Sequence, residues 1–153
     1  MWITRNHFAA DAVAVTDCIF VKTEEGVYSF QSNENSNIIC GLYLIAKPEY
    51  YIELEFLQFN VNCSKNGLLS VIDGWELNGQ FFPGVEDHLI PRNARYHEFC
   101  GHIKPRKTFV MSQNVGLIEY RIPHSGQGFV VRVRFVQNPK RKRLPRLSIP
   151  ALT

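Results

Sequence analysis

The sequence predicts an all-β fold, an antiparallel β-sandwich held by two disulfides. Short segments in which apolar and polar residues alternate are separated by turns rich in glycine and proline, and no segment shows sustained helical periodicity. The four cysteines, Cys18, Cys40, Cys63 and Cys100, form an even set of the kind that crosslinks secreted domains. Sequence alone permits three pairings, and four free thiols in an intracellular protein are the alternative. A chain of 153 residues is long enough for one domain with a substantial core.

The predicted strands follow from the pattern of side chains. Residues 50–60 alternate cleanly, with large apolar side chains on one face and two glutamates on the other, as in a half-solvated antiparallel strand. The near-continuous apolar run at 38–46 is typical of a buried central strand. Further strands are predicted at 26–31, 68–72, 115–122 and 129–136. Scattered glycines and prolines predict a long loop at 76–95.

Composition divides the chain into three parts. An N-terminal segment (1–16) is interpreted as the remnant of a leader, a β-sandwich domain follows at 17–138, and a basic tail at 139–153 is predicted to be disordered. Five of the 17 basic residues lie in that tail, which leaves 12 against 14 acidic residues, so nucleic-acid binding is not predicted. The Lys140–Arg143 run fits a proprotein-cleavage site, a nuclear address or a solubilising patch. No window is apolar enough for a membrane span.

The stretch from Cys63 to Phe129 carries the most specific pattern in the chain. A strand leads into a cysteine, a second strand ends in an Asp-Gly turn, another cysteine precedes glycine, and Gly-x-Gly-Phe opens the last strand. This order resembles that of CUB domains. The residues in between narrow the resemblance to the N-terminal domain of the corticotropin-releasing-factor-binding proteins, over roughly 17–137. They are Asp73-Gly74-Trp75, Gly79, Phe82-Pro83, Asp87-His88, Arg95-Tyr96, Phe99-Cys100 and Ser112-Gln113-Asn114-Val115.

The resemblance implies a CUB-like sandwich with sequential disulfides, Cys18–Cys40 and Cys63–Cys100. It implies a secreted, non-catalytic protein without a cofactor that sequesters a peptide hormone of the corticotropin-releasing-factor type, such as a urocortin or a diuretic-hormone-like peptide. Such ligands are long amphipathic helices when bound, so the expected site is an apolar groove. Family members carry a second disulfide-containing domain, so this chain is interpreted as a truncated or partial member. The alternative is a generic CUB protein-interaction module that depends on calcium.

Candidate ligand-binding residues cluster after the Asp-Gly turn. Trp75, Phe81, Phe82 and Val85 place several large apolar side chains in a segment predicted to be a loop. If they are exposed, they form an anchor cluster for a peptide helix. If they are buried, Trp75 closes one end of the sandwich instead.

Metal sites are weighed and not predicted. CUB domains that bind calcium use an acid at the position of Asp73, but the partner acid expected six residues earlier is replaced by Gly67, so Glu34 would have to contribute. Asp73 is therefore interpreted as a turn residue that bonds its own backbone. His97 and His102 lack the spacing of a zinc protease, because the fourth residue after His97 is a glycine. Both are interpreted as surface residues.

Two further patterns complete the chemistry that the sequence offers. Asn62-Cys63-Ser64 is a formal glycosylation sequon, so Asn62 is a candidate acceptor in a secreted protein. No serine lies in a Gly-x-Ser-x-Gly elbow, and no acid–histidine spacing indicates a nucleophile with its base. The sequence therefore predicts a binding protein and not an enzyme.

Overall fold

The computed structural model describes residues 11–88 and 90–140, whose strands form two five-stranded sheets and a separate hairpin. Sheet A has the strand order β1-β3-β12-β5-β10, and sheet B the order β2-β4-β11-β6-β9. The strands are β1 (Val13–Ala14), β2 (Ile19–Lys22), β3 (Gly26–Gln31), β4 (Cys40–Ile45), β5 (Tyr50–Asn60), β6 (Leu68–Ile72), β7 (Trp75–Leu77), β8 (Gln80–Phe82), β9 (Tyr96–Phe99), β10 (Phe109–Val110), β11 (Val115–Arg121) and β12 (Gly128–Gln137). Single 3-10 turns lie at Ser64–Asn66, Val85–Asp87 and Arg92–Ala94.

The sheets are antiparallel except at one side of the sandwich. There the edge strands β1 and β2 run parallel to β3 and β4. The longest pairing joins β5 to β12 over their whole lengths and contains a bulge between Val130 and Val131. Glu53 and Glu55 on the outer side of β5 form ion pairs with arginines of β12, as the predicted half-solvated strand requires.

The core lies between the two sheets, where the inward-facing rows meet. Side chains at every second position of β4, β5, β11 and β12 are almost fully buried, for example Leu42, Leu54, Ile118 and Val131. The ring of Phe56 makes edge-on contacts with three other phenylalanine rings at 5.8–6.1 Å. Each fully buried side chain of this kind contributes about 1.5–3 kcal/mol to stability. A slip of one residue would turn the whole buried row of a strand toward solvent, so the alternation fixes the register of the strands.

The two disulfides join the cysteines in sequential order, which confirms the pairing that the resemblance implies. Cys18 bonds Cys40 and Cys63 bonds Cys100, with sequence separations of 22 and 37 residues. In the chain-entropy model, loops of these lengths give about 3–4 kcal/mol each. Both bridges lie at the end of the sandwich where β4 and β6 begin and β9 ends, which we call the disulfide end. The opposite end, where β6 leads into β7, is the hairpin end.

The predicted strands at 26–31, 50–60 and 68–72 are confirmed, and those at 38–46, 115–122 and 129–136 agree within two residues. The predicted loop at 76–95 is wrong, because its first part forms the β7–β8 hairpin. Leu77 pairs with Gln80 across a two-residue turn in which Asn78 and Gly79 have φ of 54° and 81°. Asn-Gly with two positive φ angles is the signature of a type I′ hairpin turn.

The first and last described residues can be compared with the predicted limits of the domain. β1 pairs with β3, and Val15 is buried in the core, so residues 13–15 belong to the sandwich, although the predicted domain begins at residue 17. Of the basic Lys140–Arg143 run, Lys140 alone lies within the described residues, and the rest of the tail lies outside them. Within the described ranges, the structure has no helix with the length and apolarity needed to cross a membrane.

Candidate functional site

An open groove with a volume of about 570 Å³ lies between the β7–β8 hairpin and edge strand β2. The hairpin lies over the outer face of sheet B, the face turned away from the core. Four large apolar side chains of the groove are about half exposed: Ile19 at 56%, Val21 at 52%, Leu77 at 48% and Phe82 at 58%. Exposed apolar side chains that form one patch mark an interaction site more often than isolated exposed ones do.

Trp75 holds the hairpin against the sheet and also lines the groove. Its indole Nε1–H is shared between the carbonyl oxygens of Leu44 and Gly116, at 2.9 and 3.0 Å. Its ring stands edge-on to Tyr43 at 5.3 Å, and the Tyr43 hydroxyl donates to the Glu76 carbonyl at 3.0 Å. The half-buried Trp75 therefore packs on the outer face of sheet B and does not close an end of the sandwich, and it also forms part of the groove wall.

Phe81 and Phe82 have different environments, although both line the groove. Phe81 is half buried, its ring 5.9 Å from that of Tyr96 and beneath the Arg92 guanidinium at 4.6 Å. Phe82 is mostly in solvent. The hairpin thus brings Trp75, Phe81 and Phe82 together, with Phe82 as the most accessible of the three; the side chain of Val85 lies outside the described residues.

Buried polar groups fix the segment that follows the hairpin. The guanidinium of Arg95, which is 1% exposed, donates to the carbonyl oxygens of Pro83 at 2.7 Å and Ile90 at 3.0 Å, with a longer contact to Gly84 at 3.5 Å. The buried His88 accepts the Ile90 N–H at Nδ1. These contacts hold the backbone next to Phe82 in place, and the sequence pattern did not reveal them.

Asp73 is not a turn residue bonded to its own backbone, as the sequence interpretation had it. Its buried carboxylate accepts the backbone N–H of Ser112 at 2.9 Å and the Ser112 hydroxyl at 2.6 Å, and His88 Nε2 lies 3.3 Å from it. Asp73 therefore joins the end of β6 to the segment before β11. Glu34 lies at the opposite, disulfide end, where the side chain of the neighbouring Asn35 accepts the Ser125 N–H. Glu34 therefore cannot share an ion with Asp73.

The two histidines considered as zinc ligands have different surroundings. His97 is exposed on β9 with its ring 5.6 Å from Phe109, whereas His102 Nδ1 lies 2.6 Å from the Asn60 side-chain oxygen. Cys100 is in a disulfide. Residues 11–88 and 90–140 contain no group of three or more His, Cys, Asp or Glu that could hold a metal ion.

A pair of carboxyl groups lies under the hairpin. Glu119, on the outer face of the central strand β11, is hydrogen-bonded to Glu76 of the hairpin. Burial, the hydrogen bond and the charge of Glu76 raise the pKa of Glu119 to about 7. Burial, with a smaller effect of these two glutamates, raises the pKa of Tyr96 to about 12. The raised pKa keeps Glu119 partly protonated near neutral pH, a feature that strand periodicity did not predict.

The sequon lies at the disulfide end. The side-chain oxygen of Asn62 accepts the Ser64 N–H at 2.9 Å, and its backbone N–H donates to Gln127 at 2.8 Å. The intervening Cys63 is crosslinked. Glycosylation of Asn62 stays a prediction.

Comparisons with known proteins agree with this architecture. Residues 13–137 match the family model described as the corticotropin-releasing factor binding protein N-terminal domain. Relatives named corticotropin-releasing factor-binding protein include those of Ovis aries (31% identical over 121 residues, 79% of this chain), Xenopus laevis (33% over 121 residues, 79%) and Homo sapiens (31% over 117 residues, 76%). The chain spans 36–37% of the length of these relatives.

Solved structures give the same fold at lower sequence similarity. The full extracellular region of zebrafish Gpr126/Adgrg6 matches 80% of this chain with a TM-score of 0.56 and 18% identity, over 15% of its own length. The CUB1-EGF-CUB2 domains of rat MASP-1 match 77% with a TM-score of 0.52 and 16% identity, over 42% of their length. The fold is CUB-like, and the chain belongs to the corticotropin-releasing factor binding protein family through its N-terminal domain.

Proposed function

We propose that this chain binds a peptide hormone of the corticotropin-releasing-factor type and thereby lowers the free concentration of that hormone. The relatives that it matches are named for binding this factor. The observation that carries the proposal is the groove between β2 and the hairpin, where four half-exposed apolar side chains surround the anchored Trp75. Sequestration needs no chemical step, because bound peptide cannot reach a receptor.

The groove suits the apolar face of an amphipathic helix. Its β2 wall spans four residues, or about 13 Å at the rise of a strand, which corresponds to about nine residues of a helix. A ligand helix would therefore place two or three apolar residues at i, i+3 or i+4, and i+7 against Ile19, Val21 and Phe82. Since Trp75 is fixed by two hydrogen bonds, that part of the wall is ordered before binding, which reduces the entropy lost on association.

We further propose that the protein acts outside the cell. Two disulfides in a domain of this size support an oxidising compartment. Attachment of a glycan at Asn62 would accompany secretion. Intact mass before and after glycosidase treatment of native material tests the site, and an unchanged mass would remove Asn62 as an acceptor.

The test of the proposed function compares two surface variants with the disulfide-intact wild type. Leu77→Ser/Phe82→Ser removes two exposed apolar groups of the groove, and Val110→Ser/Ile103→Ser removes two that are 56% and 78% exposed outside it. In fluorescence anisotropy with a labelled corticotropin-releasing-factor-type peptide, we expect the groove variant to bind at least about tenfold more weakly. The control variant should bind like the wild type. Equal affinities of the two variants would exclude the groove, and absence of binding by the wild type would exclude the function for this chain.

A further inference from the structure

A second cavity, of about 210 Å³, opens at the disulfide end of the sandwich, beside the Cys18–Cys40 bridge. We propose that it is a subsite for one cationic group of the bound peptide, the ammonium of a lysine or the guanidinium of an arginine. The proposal rests on the proposed function and extends it, because it assigns a charged anchor to a ligand that the groove would hold by apolar contacts.

The walls of this cavity are fixed by covalent and hydrogen bonds. The disulfide joins the segment before β2 to the start of β4. The loop after β3 is held by Ser32, which is 8% exposed: its N–H donates to the Gln127 carbonyl at 2.8 Å, and its hydroxyl donates to the Glu34 carbonyl at 2.7 Å. The cavity is therefore formed in the free protein.

The rim carries negative charge that no described residue neutralises in an ion pair. Asp17 and Glu34 both line the cavity and are exposed. Neither carboxylate forms an ion pair with any residue of the described ranges, whereas the glutamates of β5 are paired with arginines of β12. Two carboxylates at the mouth of one small cavity favour a positively charged occupant.

The wall contributes an unused polar group and two aromatic rings. Tyr120 is 2% exposed, and its buried hydroxyl has no hydrogen-bond partner among the described residues. A buried polar atom without a partner is costly, and an N–H from a bound cation would satisfy its oxygen. The ring of Phe30 lies 4.6 Å from that of Tyr120, so the same wall offers aromatic surface to a cation.

The position of the cavity relative to the groove limits where the cation can lie in the ligand. Cys18, at the cavity, directly precedes β2, whose Ile19 and Val21 line the groove. The length of β2, about 13 Å, matches about two turns of helix. A helical ligand should thus carry its lysine or arginine about seven to nine residues from the apolar residue that contacts the groove at the far end of β2.

The experiment measures peptide affinity by anisotropy at 50 mM and 500 mM NaCl for matched variants. Asp17→Asn/Glu34→Gln removes the two rim charges, and Asp87→Asn/Glu98→Gln removes an aspartate and a glutamate outside both cavities. We expect the rim variant to bind about five- to tenfold more weakly at low salt, with a smaller difference at high salt. The control variant should stay within about twofold of wild type.

Two additional measurements separate the subsite from a general charge effect. A peptide in which the cation is replaced by glutamine should bind the wild type and the rim variant equally, because the interaction that distinguishes them is gone. Tyr120→Phe should bind the unmodified peptide about threefold or more weakly while folding normally. Equal loss in the rim and control variants, or an unchanged affinity of Tyr120→Phe, would overturn the subsite while leaving peptide binding intact.

A probe that does not depend on the hormone distinguishes failure of the subsite from failure of the proposed function. N-acetyl-arginine amide is titrated into the free protein while the ring resonances of Tyr120 and Phe30 are followed by NMR. Shifts of these rings that the rim variant abolishes support the subsite, even if no peptide binds. If peptide binding is also absent and the rings do not respond, both proposals fail.

Discussion

Replacing Glu119 by glutamine should make the protein more stable at alkaline pH. Glu119 is half buried beside Glu76, and these surroundings raise its pKa from 4.5 to about 7. A carboxyl whose pKa is raised by folding favours the folded state below its unfolded pKa, and this contribution is lost as the pH rises through the folded pKa. Glutamine resembles the protonated acid, because its amide still donates a hydrogen bond to Glu76. The variant therefore does not lose stability when the pH rises through the folded pKa of Glu119.

The magnitude follows from the two pKa values. Their difference of 2.5 corresponds to about 3.4 kcal/mol at 1.36 kcal/mol per pH unit. Because the carboxyl is only half buried, solvent screening reduces the expected gain to about 1–2 kcal/mol. The gain should be full at pH 8, nearly full at pH 7, about half as large near pH 6, and close to zero at pH 4.

Urea unfolding of the disulfide-intact protein at pH 4, 6, 7 and 8 measures this difference. Glu86→Gln, which removes an exposed carboxylate from the 3-10 turn at Val85–Asp87, is the matched control and should show no such trend. A constant difference between Glu119→Gln and the wild type across this range would refute the shared proton. So would lower stability of the variant at pH 8.

The other predictions concern the hairpin turn, a glycine at the disulfide end for comparison, and the loop next to the groove. Gly79→Ala should lower the free energy of unfolding by about 1 kcal/mol, because the φ of +81° strains any residue with a side chain, while nothing lies within 4 Å of the added Cβ. Gly67→Ala should lower it by about 3 kcal/mol or more, because the added Cβ would lie 1.9 Å from the backbone carbonyl oxygen of Asn62. Urea unfolding of both tests this, and equal costs would contradict it. Arg95→Met should cost about 2–4 kcal/mol, because it removes hydrogen bonds to three carbonyl oxygens. Its peptide affinity should fall even where the variant is fully folded, and unchanged affinity would mean that this loop does not shape the groove.

Strands with many alternating positions were predictable from the sequence, and short ones were not. Residues 50–60 show their two faces over eleven positions, so the period is unmistakable. β1 and β10 have two residues each and depend on neighbours far along the chain. The β7–β8 hairpin did have a local signal, Asn78-Gly79, which was outweighed by the surrounding glycines and prolines.

The site was only partly predictable for a related reason. Trp75, Phe81 and Phe82 lie within eight residues of one another in the sequence, so local composition singled out the cluster. The opposite wall comes from Ile19 and Val21, more than fifty residues away, and no local pattern connects them to the hairpin. The partners of Asp73 and Glu119 are equally remote, since Ser112 and Glu76 reach them only through the pairing of the strands.

Hydrogen–deuterium exchange with and without a saturating corticotropin-releasing-factor-type peptide tests the location of the binding site most directly. We expect slower exchange of backbone amides in Ile19–Lys22 and Trp75–Phe82, and unchanged exchange in Phe109–Val110 at the far edge of sheet A. Saturating binding that protects sheet A, and leaves β2 and the hairpin unchanged, would contradict it.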